Sequence, residues 1–399
     1  MDEENKVHDI YYGWFIVSAA FVALLVLSIR SYGFGVFIDP LTADFGWARA
    51  PLTLVFSISL LVTSLFGILS GRLSDTYGVK KVMAAGTILV SAGFLLSSQI
   101  QNLYHLYMTY FIIGVGASTI YIPAATTVTR WFDKKRGLAV GISVAAIAIG
   151  MASFPPILER SINAFGWRST FILVGVFALI ALSFSTILMK RSPRSGEGKE
   201  DDSRDEKSYT LKEALKTRYF WIIYFMFLMA QFSAMTITVH IVPYSTDVGL
   251  SSFYAAATLT AVGLANIFGR VLGGWTSDKL GVIKGVAIFF VFQSLAIFTL
   301  PFFSSLFAIY AVALLFGLAY GGWVMIYPVI TSRLFGTKNS GAILGALGTV
   351  AGVGGALGPY VAGYLYDLTG LYDLAFLISG FLMLGAFCLA LLFIWTYDE

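Results

Sequence analysis

Long apolar runs recur along the whole chain, and they constrain its fold more than any other feature. A membrane-spanning helix needs about 20 mostly apolar residues, and runs of roughly that length occur twelve times in the 399 residues. Lipid offers no hydrogen-bond partner to a peptide group, so such runs must satisfy their own backbone as helices. With 58% hydrophobic and 12% charged residues, the composition is also unlike that of a soluble domain. The sequence therefore predicts an all-α membrane protein with twelve transmembrane helices.

The twelve predicted spans fall into two groups of six, separated by one long polar stretch. The first six are Tyr12–Ile38, Leu52–Ser70, Val82–Gln99, Leu103–Phe132, Arg136–Arg160 and Trp167–Lys190. The second six are Arg218–Val248, Phe253–Ser277, Val282–Phe303, Leu306–Phe335, Ser340–Asp367 and Tyr372–Tyr397. The polar stretch carries seven basic and seven acidic residues, which predicts a flexible cytoplasmic linker. The predicted domains are a six-helix bundle over 1–190, the linker over 191–217 and a second bundle over 218–399.

The distribution of positive charge predicts the orientation in the membrane. With the N-terminus inside, 21 of the 26 Lys and Arg residues lie on the cytoplasmic side and two lie within helices. The other three, Arg49, Arg160 and Arg168, lie outside. Cytoplasmic loops carry such an excess, so both termini are expected in the cytoplasm. No small-residue cleavage site follows the first apolar run, so we expect the first helix to be retained. The single cysteine, Cys388, excludes a disulfide within the chain.

The two groups of helices are related by an internal repeat with an offset of 203 residues. "IDPLTADFG" (Ile38–Gly46) matches "IVPYSTDVG" (Ile241–Gly249) at Ile, Pro, Asp and Gly. "GRLSDTYGVKK" (Gly71–Lys81) matches "GWTSDKLGVIK" (Gly274–Lys284) at six positions. Two parallel six-helix repeats are the plan of transporters that alternate access around a site near the midplane of the membrane.

These residues resemble a known family. "GRLSDTYGVKK" is similar to the signature between the second and third helices of the major facilitator superfamily, and "GWTSDKLG" to its second-half copy. "RWFDKKRGLAVGISVAAIAIG" (Arg130–Gly150) and "YYGWFIVSAAF" (Tyr11–Phe21) resemble monocarboxylate transporters. Bacterial oxalate/formate exchangers share much of this pattern. The resemblance implies the fold of that superfamily and transport of small organic carboxylates.

Four charged residues at predicted cytoplasmic helix ends are candidates for gating. Asp75 and Asp278 can meet a positively charged helix N-terminus or the guanidinium of Arg130 or Arg333. Such contacts would hold the cytoplasmic side closed in one state. We expect gating rather than substrate contact from all four residues.

An arginine inside the eighth span, Arg270, is the strongest candidate for a substrate anchor. An arginine at the centre of a membrane helix costs at least about 2.5–3.5 kcal/mol, and no Asp or Glu lies near the centre of any predicted span. Asn266 lies one turn away on the same face, and Gly263 and Gly273 continue that face with room for a ligand. The guanidinium forms a planar fork that fits a carboxylate.

The resemblance supports this role and also shows departures. Monocarboxylate and oxalate transporters carry an essential arginine that matches Arg270. Animal monocarboxylate transporters have an aspartate, implicated in proton coupling, where this chain has Asn266. Oxalate exchangers have a lysine in the eleventh helix, and Gly341–Gly363 contains none. Arg30, in the first span, is therefore the candidate for a second cation in the substrate site, with a role only at the outer gate as the alternative.

Tyrosines and one histidine complete the set of candidates. Tyr121, Tyr320 and Tyr327 lie in the inner parts of the fourth and tenth spans, where they could bind substrate or simply pack. His240, near the outer end of the seventh span, could carry a proton near neutral pH, although a role in helix packing is the more common one.

The sequence thus predicts a secondary transporter of small organic carboxylates in the cytoplasmic membrane, with no cofactor and no metal. The expected partners are an organic anion, a co-transported proton or a counter-anion, and the lipid bilayer; we expect a monomer with no nucleic-acid partner. An oxalate/formate-type anion exchanger is the nearest alternative, and a carboxylate receptor that does not transport is a more distant one. No nucleophile–base pair or phosphate-binding loop is evident, so an enzyme is not expected.

Overall fold

The computed structural model describes residues 3–132, 136–190, 209–336 and 340–396, and in these ranges the chain is almost entirely helical. The helices of the first half are α1 (Glu3–Tyr32), α2 (Phe34–Phe45), α3 (Arg49–Tyr77), α4 (Val79–Ser97), α5 (Leu103–Trp131) and α6 (Arg136–Leu188). Those of the second half are α7 (Leu211–Ala214), α8 (Arg218–Asp247), α9 (Ser252–Leu280), α10 (Val282–Thr299), α11 (Leu306–Phe335), α12 (Ser340–Thr369) and α13 (Asp373–Thr396), with a 3-10 turn over Leu300–Phe302.

The described helices account for twelve passes through a membrane. Eleven segments are long and apolar enough to span one, and α1 and α2 together form the first of them. One segment, Gly137–Leu188, has 52 residues, which at 1.5 Å per residue is about 78 Å, far more than the roughly 30 Å hydrocarbon core. Gly166 interrupts it with φ 78° and ψ 161°, so this segment makes two passes. The predicted all-α membrane fold is confirmed.

The internal repeat seen in the sequence is also present in the structure. Adding 203 to the bounds of α3 gives 252–280, which are the bounds of α9, and the same shift takes α4 and α5 onto α10 and α11 to within one residue. The turns that follow α3 and α9 are also alike, since Gly78 and Gly281 both have φ 89°. A residue with a side chain rarely adopts that conformation, so both copies need glycine here.

Only the end of the predicted linker lies in the described part of the chain, because residues 191–208 fall outside it. Residues 209–217 contain the short helix α7. Its N-terminus is held by a capping box, in which the Thr210 hydroxyl accepts from Glu213 N and the Glu213 carboxylate accepts from Thr210 N. These hydrogen bonds lower the pKa of Glu213. The Tyr209 amide donates to Phe335 O at 2.9 Å, so this stretch is attached to the end of α11.

The described helices form two compact units. The first unit contains Met1–Phe34 and Ile58–Asp202, and the second contains Gly35–Ser57 and Ser203–Glu399. Residues 35–57, which precede the linker in sequence, therefore pack with helices of the second half. The six-plus-six domain organisation predicted from sequence remains a prediction.

Glycines bring α9 and α11 into direct backbone contact within the second unit. A Cβ on Gly269 or Gly273 would collide with a backbone carbonyl of α11, and a Cβ on Gly317 or Gly321 with one of α9. The expectation that Gly273 leaves room for a ligand was wrong, because the carbonyl of Gly322 occupies that space. Close backbone approach at small residues is a common way to pack helices in lipid.

Candidate substrate-binding site

Arg270 and Asn266 lie next to each other on α9. Arg270 Nε donates to Asn266 Oδ1 at 3.0 Å, so the arginine side chain runs back toward the N-terminus of its helix, as helical side chains generally do. Among the described residues, no carboxylate lies within ion-pair distance of Arg270. Asn266 is 1% exposed, and its Nδ2 is buried without a hydrogen-bond partner in the described structure. The pair therefore presents hydrogen-bond donors that no described protein group uses.

The two predicted tyrosines on α11 differ in their surroundings. The hydroxyl of Tyr327 is buried without a partner among the described residues, and its ring packs edge-on against Phe227 at 4.8 Å between centroids. Tyr320 is buried, and its ring lies 5.5 Å from that of Trp323. The Trp323 indole donates to Gln293 Oε1 at 2.6 Å. The hydroxyl of Tyr327 is thus an unused donor, while the ring of Tyr320 belongs to an aromatic cluster.

Arg30 lies in the first unit and is almost completely buried, with 6% of the residue exposed. Its Nη1 donates to the Ser59 hydroxyl at 3.1 Å, and its Nε is buried without a partner in the described structure. No carboxylate among the described residues lies within ion-pair distance. The first unit therefore also contains a buried cation that no described acidic group neutralises.

The remaining predicted residues of the first unit are more exposed. Tyr121 on α5 is 41% exposed. Arg130 donates to Asp75 across 2.9 Å, and both side chains are about half exposed. The corresponding residues of the second repeat, Asp278 and Arg333, are exposed and form no ion pair among the described residues. The structure thus brings together only one of the two predicted gate pairs.

The most extensive ionic cluster among the described residues lies in the second unit, around Arg49 at the start of α3 and near the C-terminus of α8. Its guanidinium donates two hydrogen bonds to the carboxylate of Asp247, of 2.7 and 2.9 Å. It also donates to the hydroxyl of Tyr372 at 2.6 Å and lies 3.4 Å from Asp39. The Arg49 amide donates to Asp367 Oδ1 at 2.8 Å, so this carboxylate satisfies an open backbone donor of the first turn of α3. The cluster joins the segment Gly35–Ser57 to α8, α12 and the start of α13.

His240 extends this cluster into the interior of the second unit. It is fully buried; Nδ1 lies 2.9 Å from the hydroxyl of Tyr372, and Nε2 lies 2.8 Å from the carbonyl of Pro359. A carbonyl can only accept, so Nε2 carries the proton and Nδ1 accepts from the tyrosine. Burial holds the pKa of Tyr372 well above its ordinary value, so this hydroxyl keeps the proton that it donates.

The sequence reasoning missed this cluster. Arg49 was counted only as one of three outside cations, although Asp247 stands in one of the matched repeat segments, opposite Asp44. The match between Asp44 and Asp247 was the feature of the sequence that could have drawn attention to Asp247. A buried carboxylate, Glu159, was missed as well; it is 5% exposed and accepts from Asn163 Nδ2 at 2.9 Å.

A duplicated set of membrane helices, with an arginine inside a span of each unit that no carboxylate among the described residues pairs with, is typical of a membrane transporter. Comparison with known proteins gives the same class. Residues 18–359 match the description of the Major Facilitator Superfamily, and the chain belongs to that superfamily. The resemblance inferred from the signature loops is confirmed.

Individual relatives are similar over nearly the whole chain. Monocarboxylate transporter 12 of Xenopus laevis is 28% identical, over 98% of this chain and 91% of that protein. The oxalate:formate antiporter of Oxalobacter formigenes is 26% identical, over 94% of this chain and 90% of its own. A bacterial homologue of the human lysosomal transporter Spinster, crystallised in an inward-facing and occupied conformation, superposes with a TM-score of 0.82 over 97% of both chains at 15% identity. The last comparison shows the fold alone. This chain is a membrane transporter rather than an enzyme, as these relatives are.

Proposed function

We propose that the protein is a secondary transporter of small organic carboxylates that works by alternating access, with Arg270 as the anchor for the carboxylate. The observation that carries this proposal is the state of the Arg270 guanidinium. Its Nε is held by Asn266 at 3.0 Å, while no described carboxylate pairs with the rest of the group. Nη1 and Nη2 remain for a ligand, and together they match the two oxygens of a carboxylate.

The energetic cost of these unpaired donors supports an anionic ligand. A charged arginine inside a span costs at least about 2.5–3.5 kcal/mol, and a buried donor without a partner, such as Asn266 Nδ2, costs a further ~1–3 kcal/mol. A carboxylate on the guanidinium would offset the first cost. An oxygen next to that carboxylate could accept from Asn266 and reduce the second. Two of the relatives are a monocarboxylate transporter and an oxalate:formate antiporter, which supports organic acids as the class of substrate.

An oxalate:formate-type exchange of anions is the second candidate, and the chemistry of Asn266 favours it over proton symport. The neutral amide beside Arg270 cannot carry a proton in the physiological range. Exchange of one anion for another would need no titratable group at the anchor. Uptake that is driven strongly by an inward proton gradient would contradict this candidate.

Arg30 is proposed to influence which acids are accepted. Its Nη1 is bound to Ser59, but its buried Nε has no described partner, and an unpaired buried charge is costly. A substrate with a second carboxylate or a hydroxyl would relieve that cost. The Arg30→Leu variant should lose transport of a dicarboxylate or hydroxy acid more than that of a matched simple monocarboxylate. An unchanged order of preference would leave Arg30 with a role only in gating.

The distribution of charge supports a location in the cytoplasmic membrane with both termini inside. The tyrosines Tyr121, Tyr320 and Tyr327 remain candidates for substrate contact, and the buried hydroxyl of Tyr327 makes it the strongest of the three. Asp75, Arg130, Asp278 and Arg333 remain candidates for the cytoplasmic gate. No step of the proposed cycle needs a cofactor, and we expect the monomer to suffice.

The decisive experiment is counterflow in liposomes with a panel of radiolabelled organic acids. Arg270→Ala should abolish exchange of the preferred acid. Arg270→Lys should abolish most of it, because lysine keeps the charge and loses the fork. Lys284→Ala is the matched control, because it removes an exposed cation from the same unit and should leave exchange unchanged. Wild-type exchange by purified Arg270→Ala would refute the anchor.

A further inference from the structure

The cluster around Arg49 is not part of the proposed carboxylate site. It connects a network of ion pairs to a titratable group, His240, through the hydroxyl of Tyr372. We propose that Arg49 is a latch that holds the segment Gly35–Ser57 against the outer ends of α8, α12 and α13, and that protonation of His240 releases this latch. The proposal rests on alternating access, which requires the outer end to open, and it does not depend on the identity of the substrate.

The hydrogen-bond count of Arg49 shows why this residue can act as a latch. The two terminal nitrogens carry four N–H groups. Two of these bind Asp247, one binds the hydroxyl of Tyr372 and one points to Asp39. The guanidinium also stacks on the ring of Tyr366, with Cζ 3.9 Å from the centroid. Every terminal donor is thus used, and no other side chain provides this planar set of four.

The segment Gly35–Ser57 also makes close contacts with the backbones of α12 and α8. The Ser57 hydroxyl donates to the carbonyl of Ala356 at 2.5 Å. A Cβ added to Gly35 would lie 2.7 Å from the carbonyl oxygen of Val239. At these two contacts the segment lies directly against α12 and α8, so it must separate from them for this end to open.

The direction of the hydrogen bonds connects the latch to His240. Arg49 donates to Tyr372, Tyr372 donates to His240 Nδ1, and His240 Nε2 donates to the carbonyl of Pro359. A proton added to His240 must bind to Nδ1, because Nε2 already carries the hydrogen that it donates to Pro359. The hydroxyl of Tyr372 would then receive two charged donors, and its own hydrogen would have no acceptor among the contacts described. Because charge repulsion adds to this loss, the protonated histidine is incompatible with the latched arrangement.

The other titratable and charged groups at this end do not remove the conflict. The charged residues of the segment 35–57 and of the facing ends of α8, α12 and α13 are Asp39, Asp44, Arg49, Asp247, Asp367 and Asp373. The tyrosines in contact with the cluster are Tyr244, Tyr366 and Tyr372. On α9, which also packs against α8, the sequence has no charged residue before Arg270. Asp247 and Asp39 are already paired with Arg49. The charged group that shares the hydroxyl of Tyr372 with His240 is therefore the positive guanidinium of Arg49.

Hydrogen–deuterium exchange on the full-length protein in lipid nanodiscs tests this proposal without any substrate. We expect peptides from residues 35–57 to exchange faster at about pH 5.5 than at about pH 7.5, on either side of the ordinary imidazole range, after correction for the intrinsic exchange rate. The difference should be about tenfold, as expected when opening takes up one proton at an imidazole with the ordinary pKa of about 6.5. Peptides from α5 in the first unit serve as the internal control.

Variants separate the latch from its trigger. Arg49→Gln should exchange fast in this segment at both pH values, and His240→Gln, which can still accept from Tyr372 and donate to Pro359, should exchange slowly at both. Tyr372→Phe keeps the ring and removes the linking hydroxyl, so it should lose the pH response even if Arg49→Gln does not fold. Arg168→Gln, an outer arginine that stacks on Trp167 in the first unit, should behave as wild type.

Two results would overturn the proposal: an unchanged pH response in His240→Gln, or unchanged exchange of the segment in folded Arg49→Gln. Because no acid is transported in the assay, either failure would leave the carboxylate anchor at Arg270 untouched. Conversely, a failure of Arg270→Ala to affect counterflow would leave the latch untouched.

Discussion

Two adjacent glycines on α9, Gly273 and Gly274, offer a matched test of how the helix that carries Arg270 is held. A Cβ on Gly273 would lie 3.0 Å from both the carbonyl carbon and the Cα of Gly322 and still closer to the carbonyl oxygen. These are backbone atoms of α11 and cannot rotate away. A Cβ on Gly274 would meet nothing within 4 Å. We therefore expect Gly273→Ala to destabilise the protein and Gly274→Ala to be tolerated.

The size of the effect follows from contact distances. Carbon atoms pack at about 3.5–4.0 Å, so α9 and α11 must separate by roughly 0.5–1 Å to admit the methyl group at Gly273. Overpacking of this kind typically costs ~1–3 kcal/mol, or about a 5- to 150-fold change in the folding equilibrium. Gly274→Ala should change stability by less than about 1 kcal/mol, in the stabilising direction, because alanine favours the helix.

The measurement is an unfolding titration with SDS in mixed micelles, followed by tryptophan fluorescence. Carboxylate counterflow should fall in parallel in Gly273→Ala, since Arg270 is only one turn away and its position depends on this contact. Equal midpoints for the two alanine variants would refute the argument that the backbone contact of α9 with α11 holds the site together.

Three further expectations concern single side chains. Asn266→Asp would pair the new carboxylate with Arg270, so binding of an organic acid, measured by isothermal titration, should weaken at neutral pH. Binding should recover as the pH falls and the carboxyl takes up a proton, and a pH-independent affinity would contradict this. Tyr327→Phe removes a buried hydroxyl without a described partner, so stability in the SDS titration should rise by about 1 kcal/mol while affinity for the acid falls, and an unchanged affinity would exclude Tyr327 from the site. Asp75→Asn should lower stability by about 0–1 kcal/mol, as expected for an exposed ion pair, and Asp278→Asn should have no effect in the same titration; equal losses would show that the second pair also forms.

The fold could be predicted from the sequence because the membrane leaves few alternatives. Apolar runs of about 20 residues can only be helices, and the offset of 203 residues predicted the repeat that α3 and α9 display. The position of Arg270 beside Asn266 followed from helical periodicity alone. These inferences use the spacing of residues along one helix, which a sequence contains directly.

Contacts between helices were harder to predict, and the wrong or missing predictions concern these contacts. Gly273 was interpreted as free space because glycine has no side chain, whereas the carbonyl of a neighbouring helix fills that space. Arg49 was interpreted as a loop cation, although its partners Asp247 and Tyr372 lie 198 and 323 residues further along the chain. No periodicity in one helix indicates which distant helix approaches it, so such partners become visible only once the chain has folded.

The ion pair of the first unit and that of the second will respond differently to ionic strength. Asp75 and Arg130 are about half exposed, and at physiological salt the attraction between exposed charges is screened over about 8 Å. In the other pair 9% of the Arg49 side chain and 32% of the Asp247 side chain are accessible, and dissolved ions screen a partly buried pair less. Added salt is therefore expected to weaken the contact between Asp75 and Arg130 more than the contact between Arg49 and Asp247. The salt concentration of the surrounding solution, independent of any substrate, thus shifts the relative strength of these two contacts.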